Sequence, residues 1–265
     1  MPLCLCASVP LCLCASVTLW FVGVAVALVH RLKGQGKHRY NPGMCRALAA
    51  VVALAVLIPS GDARAWGFEA HKFVMERAIA LLPPALQPMF DGSRGTLVER
   101  SIDPDTWQNA GFDDLESPHH FLDLDWEGYG PYPFRELPRD YTAAIAKFGK
   151  ARIDENGTLP WRTEEMYGNL RRAFEAYARR GAFGRNDILH FSAWLTHYVS
   201  DAHVPFHAVL NYDGQLTGQQ GIHARYERFL FERYRTQWTT APKPMPPIAN
   251  PRDFIFETVL TGTQL

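Results

Sequence analysis

Two histidine–carboxylate pairs in the second half of the chain have a spacing that suits metal binding. His197 precedes Asp201 by four residues, and His223 precedes Glu227 by four residues. Residues four apart on a helix lie on one face, so each pair can direct an imidazole nitrogen and a carboxylate oxygen at one ion. A further histidine, His207, follows just beyond the expected end of the first of these helices. Imidazoles with a carboxylate form a common open zinc site, and His207, His223 and Glu227 could make one such set.

Two segments nearer the N-terminus offer further donors. Asp105 and His120 form a second carboxylate–imidazole couple, fifteen residues apart in a segment without clear periodicity. His71 lies on the inner stripe of the first expected helix. The remaining candidates are interpreted as packing, supporting or turn residues rather than ligands: His119, His190, His203 and Asp103.

The composition after Trp66 leaves only nitrogen and oxygen donors for a metal. All five cysteines precede Trp66, so the remainder has no thiolate ligand and no disulfide. Six of the 27 basic residues and one of the 27 acidic residues, Asp62, also precede Trp66, which leaves 21 basic and 26 acidic residues and a formal charge of −5. Such a domain has no general electrostatic attraction for nucleic acid, although bound dications would cancel that charge locally.

The first 65 residues are expected to direct export. Residues 44–65 have the layout of a signal peptide, with a short basic start at Met44, an apolar stretch and a small-residue cleavage motif that ends at Ala65. Cleavage there would give a periplasmic or extracellular protein beginning at Trp66. Residues 1–43 fit either a membrane span of about 20 residues or, as we favour, an extension upstream of the true start.

Helical periodicity dominates after Trp66 and strand alternation is scarce, which predicts an all-α, single-domain helical bundle over residues 66–265. Residues 91–137 are expected to be mostly loop with short helical turns, the proline-rich tail irregular, and Asn156-Gly157-Thr158 a turn. Four helices are expected: Phe68 to Leu82, a second capped by Thr163 and ending at Gly181, a third capped by Asn186 or Asp187 and ending near Ala202, and a fourth from His223 to about Tyr234.

Together these residues resemble the superfamily of bacterial zinc-dependent phospholipases C and single-strand-specific zinc nucleases. The mature chain of that family begins with Trp and continues with a helix-borne His, an Asp and a His before Phe. The block His-x3-Asp-x5-His and a last His-x3-Asp/Glu follow. The chain matches these elements in order, over about Trp66 to Leu230, at Trp66, His71, Asp105, His120, His197, Asp201, His207, His223 and Glu227.

The resemblance implies a helical bundle of the phospholipase C and zinc nuclease type that holds three zinc ions. The implied ligand sets are Asp105, His120 and His197 with Asp201 shared; the amine and carbonyl of Trp66 with His71 and Asp201; and His207, His223 and Glu227. A hydroxide bridging the first two ions would be the nucleophile, because two nearby dications lower the pKa of bound water. The third ion would stabilise the leaving alkoxide, and Asp105 would act as the catalytic residue that orients or deprotonates the water.

The segment Gly221 to Glu227 resembles the phospholipase C form of the last metal pair. We therefore expect phospholipase C-type hydrolysis of a phospholipid or other phosphodiester, by a monomer in transient contact with a membrane surface. The alternatives are a single-strand-specific nuclease acting on single-stranded nucleic acid and a non-catalytic zinc-binding protein. Thr106 and Ser117 stand where choline-lipid enzymes carry aromatic residues, which leaves the head group open. The 38 residues after Glu227 are fewer than the family usually has, which predicts a short variant or a truncated chain.

Overall fold

Helices form the regular structure of residues 67–237 and 247–265, the part of the chain that the computed structural model describes; no strand is assigned there. The prediction of an all-α fold is therefore confirmed. These residues belong to a compact unit, Asp62–Leu265. Trp66 and the expected segments 1–43 and 44–65 lie outside the described residues. None of the described helices has the length and apolarity to cross a membrane.

The helices vary widely in length, and short ones dominate the first half. They are α1 Phe68–Ala80, α2 Gln87–Asp91, α3 Arg94–Arg100, α4 Asp103–Trp107, α5 Asp113–Glu116, α6 Tyr141–Phe148, α7 Lys150–Asn156, α8 Leu159–Ala178, α9 Gly184–Ala202, α10 Ile222–Ala224, α11 Phe231–Tyr234 and α12 Pro251–Gly262. Single turns of 3₁₀ helix span Ser117–His119, Glu127–Tyr129, Pro205–His207 and Arg235–Gln237, and π-helical segments span Gln108–Phe112 and Arg225–Leu230.

The centre of the fold is the helical hairpin of α8 and α9, whose five-residue connection brings the two helices back along one another. Helix α9 also packs on α1, α3 and α12. The contacting faces bury Leu159, Ile188 and Tyr198 completely, and α12 adds Ile255 at 2% exposure. Because α9 is surrounded, polar side chains on its inner face must find partners inside the protein.

Several expected helix boundaries are wrong. Helix α8 begins at Leu159, four residues before the expected cap, and the Thr163 hydroxyl instead donates to the Leu159 carbonyl oxygen within the helix. Pro160 occupies the first turn of α8, where its missing N–H costs no hydrogen bond. Helix α9 begins at Gly184, ahead of the expected caps at Asn186 or Asp187.

The tail was expected to be irregular, and this prediction is also wrong for its last part. Asn250 caps α12 by accepting a hydrogen bond from the Asp253 amide at 3.2 Å, and Pro251 takes the first helical position. Pro251 therefore lies at the start of a helix, where its missing N–H costs no hydrogen bond. Helix α12 packs against both α8 and α9 and closes the core on that side.

Candidate metal centre

Five of the predicted site residues meet in one buried cluster beside α9, called the central cluster: His71, Asp105, His120, His197 and Asp201. Asp201 is fully buried and lies between the imidazoles, with Oδ1 3.4 Å from His71 Nε2 and Oδ2 3.3 Å from His197 Nε2. The same Oδ2 is 3.0 Å from His120 Nδ1. Asp105 Oδ1 lies 3.7 Å from both His120 Nδ1 and His197 Nε2. The four-residue spacing of His197 and Asp201 in α9 thus places one carboxylate among three imidazole rings.

Two overlapping donor sets can be drawn in the central cluster, each with ligand atoms within 4.8 Å of one another. One comprises Asp105, His120 and His197, as the resemblance implied. The other comprises His71, His197 and Asp201, so His197 belongs to both sets. The rings of His71 and His197 are stacked, with centroids 3.9 Å apart. Trp66, the other expected ligand beside His71, lies outside the described residues.

The remaining three predicted residues form a second group, called the outer cluster: His207, His223 and Glu227. Glu227 is 1% exposed, and its Oε1 lies 3.2 Å from His207 Nε2 and 2.9 Å from His223 Nε2. The two Nε2 atoms are 3.1 Å apart. Two imidazole nitrogens that face one another this closely beside a carboxylate converge on the position of a single cation.

Backbone pairing fixes the segment that carries His120. The Leu122 amide donates to the His207 carbonyl oxygen at 2.8 Å, and the Thr158 amide donates to the Pro118 carbonyl oxygen at 2.6 Å. The turn before α8 must pass close to this segment, because a Cβ on Gly157 would lie 2.1 Å from the Phe121 carbonyl oxygen. Gly157 also has φ of +92°, a conformation that glycine adopts readily. Asn156, expected in a turn, instead ends α7, and the short Gly157–Thr158 connection to α8 holds the His120 segment in place.

Carbonyl oxygens orient two of the rings. His197 Nδ1 lies 2.8 Å from the Ser101 carbonyl oxygen, and His207 Nδ1 lies 2.6 Å from the His120 carbonyl oxygen. A carbonyl oxygen can only accept, so each Nδ1 carries hydrogen and donates. In the neutral ring this leaves the lone pair on Nε2, which in both histidines faces its cluster. The ring orientation therefore suits metal coordination.

Asp213 is a supporting residue that the sequence analysis missed. Its carboxylate accepts hydrogen bonds from the Gly221 amide at 2.8 Å and the His223 amide at 3.3 Å. These bonds close the loop between the 3₁₀ turn at His207 and α10, so they bring His223 back to His207. The bonded residues are eight and ten positions apart in a loop, and no periodic pattern marks such a pairing.

Burial and mutual charge shift the titration of the clusters. Burial opposes protonation of His197, but the carboxylates of Asp201 and Asp105 outweigh it and raise the pKa of His197 to about 9. Burial likewise opposes protonation of His207, and Glu227 and Asp201 outweigh it and raise the pKa of His207 to about 9. Burial and the neighbouring His197 hold the pKa of His71 well below its usual value. The clusters without metal therefore hold protons where a cation would otherwise compensate the carboxylates.

Metal binding at neutral pH should release these protons. Since the pKa values of His197 and His207 are about 9, both rings are protonated in the metal-free protein at pH 7. Coordination requires neutral rings, so zinc should displace about two protons at pH 7 and bind more tightly as the pH rises towards 9. Calorimetry in buffers of different ionisation enthalpy measures this release.

The same pKa shifts predict how the stability of the metal-free protein depends on pH. A histidine pKa raised by folding stabilises the fold fully below about pH 6.5, and the stabilisation is lost as the pH rises through 9. Thermal unfolding of chelator-treated protein should therefore shift to lower temperature between pH 7 and 9.5. The variant His203→Gln is a matched control, since His203 is exposed and lies in neither cluster. Zinc uptake without proton release at pH 7 would contradict the raised pKa values of His197 and His207 on which both predictions rest.

A cavity of about 460 Å³ opens beside the clusters. Its wall includes His120, His207 and His223, so both clusters face it. The other lining residues are Gln108, Ser117, Phe121, Asp123, Glu155, Phe206, Tyr212, Asp213 and Ala224. They include three acids and three aromatic residues and no lysine or arginine. Burial and the nearby Asp125 raise the pKa of Asp123 to about 7, so this acid exchanges a proton near neutral pH.

The residues interpreted as supporting or turn residues lie outside both clusters. His119 Nδ1 is 2.8 Å from the Thr158 hydroxyl, and His203 Nδ1 is 2.8 Å from the Val199 carbonyl oxygen. Asp103 accepts a hydrogen bond from Arg100 Nε at 2.8 Å. His190 is half-buried against Trp194, with ring centroids 4.9 Å apart. The structure thus places these four side chains away from the converging donors.

Some buried polar atoms of the two clusters lack a partner that a cation could provide. Within the described residues, His120 Nε2 and Glu227 Oε2 are buried without a hydrogen-bond partner. Burying such atoms costs free energy unless a partner compensates them. A cation fits the carboxylate oxygens, and the two clusters could hold metal ions.

A scan against protein-family models finds no match for this chain, and a comparison with curated proteins finds none either.

Proposed function

We propose that this protein is a zinc-dependent phosphodiesterase of the phospholipase C type, with eight described residues and Trp66 as its metal ligands. The observation that carries the proposal is the convergence of eight imidazole and carboxylate side chains in two adjoining clusters that face one cavity. Imidazole and carboxylate donors without thiolates suit zinc in a catalytic rather than a closed structural site. Zinc bound there would supply a nucleophile at neutral pH and neutralise charge on the phosphate.

The residues around the site have separable roles in this proposal. Asp201 holds His71, His120 and His197 in one arrangement, and the carbonyl oxygens of Ser101 and His120 orient His197 and His207. Asp105 lies among the rings, and burial raises its pKa, which suits a carboxylate that exchanges a proton with water. Phosphodiester hydrolysis needs mainly positioning and charge neutralisation, and zinc ions held by the two clusters would provide both.

The lining of the cavity supports a small phosphodiester over a long polyanion. A nucleic acid strand carries a charge at every phosphate and is normally held by basic side chains and stacking. The residues that line this cavity include Asp123, Glu155 and Asp213 but no lysine or arginine. Aromatic side chains beside acids favour a cationic or neutral group attached to the phosphate. This chemistry supports the phospholipase C assignment.

Single-strand nuclease activity is the second candidate, and one specific observation favours it. Phe121 and Asp123 both line the cavity. An aromatic plane can stack on a base, and a carboxyl group that is partly protonated near neutral pH can pair with a base edge. The two candidates share the metal centre and differ only in the group that the cavity receives.

Separate assays on three kinds of substrate test the proposal. Protein beginning at Trp66 would be assayed for zinc content, release of phosphocholine from phosphatidylcholine, release of nucleotides from single-stranded DNA, and hydrolysis of bis(p-nitrophenyl) phosphate. We expect zinc uptake, hydrolysis of the model ester and preference for the lipid. His197→Ala should abolish hydrolysis, whereas the matched variant His203→Ala should retain it. Nucleotide release with no lipid cleavage would favour the nuclease, and full zinc loading with no hydrolysis at all would leave a zinc-binding protein without turnover.

A further inference from the structure

One buried acid near the metal centre belongs to neither cluster. Glu116 closes α5 and is 6% exposed, and its Oε1 lies 3.9 Å from His120 Nε2. Glu116 stands four residues before His120, and the resemblance to a family assigns it no role. A carboxylate this deeply buried needs partners, so its contacts identify what it supports.

The two ring nitrogens of His120 have different surroundings. His120 Nδ1 faces the central cluster, 3.0 Å from Asp201 Oδ2 and 3.1 Å from His197 Nε2. His120 Nε2 is buried on the other side of the ring and has no hydrogen-bond partner among the described residues. A ring that coordinates through Nδ1 keeps its proton on Nε2, and a partner for that proton fixes both tautomer and orientation. Glu116 is the carboxylate on that side of the ring.

Glu116 is itself held in place from the opposite direction. The hydroxyl of Tyr198 donates a hydrogen bond to Glu116 Oε1. Arg162 Nε donates to the Tyr198 hydroxyl oxygen at 3.3 Å, and Arg162 Nη2 lies 3.8 Å from Glu116 Oε2. Tyr198 is fully buried and follows His197 directly in α9. A carboxylate oxygen has two lone pairs, so Oε1 can accept from Tyr198 and still accept from a second donor.

We infer that Glu116 is a positioning residue of the metal centre, which accepts the Nε2 proton of His120 and thereby directs Nδ1 at the metal. This inference rests on the proposed zinc function and adds a residue to it. The distance of 3.9 Å exceeds a hydrogen bond, so the inference requires the ring to tilt towards Glu116 when Nδ1 binds a metal. Carboxylate–histidine–metal arrangements of this kind fix ring orientation and raise ligand basicity. Arg162 and Tyr198 hold the carboxylate for that purpose.

Zinc affinity and the spectrum of the cobalt-substituted protein test the inference apart from activity. The variants are Glu116→Gln, which keeps the shape and one acceptor oxygen, and Glu116→Ala. Glu165→Gln is the matched control, because Glu165 is exposed and accepts a hydrogen bond from Arg162 Nη1 at 2.8 Å. Zinc affinity would be measured by competition with a chelator, and the cobalt d–d bands at equal metal loading.

We expect zinc affinity at one site to fall about 10-fold in Glu116→Gln and up to about 100-fold in Glu116→Ala. The cobalt bands should shift in both variants, while Glu165→Gln should match the wild type in both measurements. Wild-type affinity and an unchanged cobalt spectrum in Glu116→Gln and Glu116→Ala would overturn the inference alone, even if Glu116→Ala lowered thermal stability. Failure of the wild-type protein to bind zinc would instead overturn the proposed function, and the inference with it.

Discussion

Replacing Asp201 with asparagine should, under the proposed zinc function, lower phosphodiester hydrolysis by on the order of 10³-fold or more, since a metal contributes several kcal/mol of transition-state stabilisation. The Asp201 carboxylate is the anion that three imidazoles of the central cluster approach within 3.4 Å. An asparagine has the same shape but one carboxylate oxygen fewer and no charge, so it would hold a cation less tightly. The measurement is kcat/KM with zinc content on the same sample.

The pattern of metal loss separates this effect from unfolding. Asp201→Asn should lose zinc from the central cluster and keep the ion of the outer cluster, since His207, His223 and Glu227 form a donor set without it. Asp103→Asn is the matched control. Asp103 lies two residues from Asp105, a member of the central cluster, but its carboxylate pairs with Arg100 outside that cluster. Near wild-type hydrolysis by Asp201→Asn would rule out a catalytic metal at the central cluster.

Local geometry explains which parts of the site the sequence could predict. His197 and Asp201 share a helical turn, and so do His223 and Glu227, so a spacing of four sufficed to bring each pair within 3.3 Å. The second pair begins in α10 and ends in the following π-helical segment, and the contact survives this change of helix type. Short-range periodicity is therefore enough for pairs inside one element.

The meeting of distant segments depends on tertiary structure that spacing does not encode. Asp105 and His120 reach His197 across the fold, and only the resemblance to a family suggested that they would. The support of His223 by Asp213 was not predicted. It depends on where a loop is packed, and an isolated acid in a sequence looks the same whether it is solvated or buried. Glu116 stands four residues before His120, but that spacing alone does not show that the pair is buried beside the other donors.

Helix ends show the same limit. Thr163 and Asp187 are good capping residues by type, yet α8 and α9 begin before them. Pro160 fits the first turn of α8, and Pro251 begins α12, where a proline is read equally well as a breaker. Capping preference is worth about 1 kcal/mol, and in α8 the burial of Leu159 and Trp161, which precede Thr163, outweighs it.

Replacing Glu227 with glutamine should, under the same proposal, prevent zinc binding at the outer cluster and lower hydrolysis by about 10²- to 10³-fold, as the loss of one group that stabilises transition-state charge does. Glu227 is 1% exposed, and its Oε1 lies within 3.2 Å of both His207 Nε2 and His223 Nε2. Without its charge the two facing imidazoles have no anionic partner in their donor set. Zinc content, kcat and KM would be measured together, and kcat should change more than KM.

Glu232→Gln provides the matched control, because Glu232 follows on the adjoining helix, is exposed and lies near Arg228. The decisive comparison is between the two site variants. Asp201→Asn should keep the outer ion and Glu227→Gln should keep the central ones, because each removes a carboxylate from only one cluster. A single binding site would lose all its metal in both variants. Reciprocal loss would show that the clusters are separate sites, and the extent to which hydrolysis falls in each would measure what each site contributes.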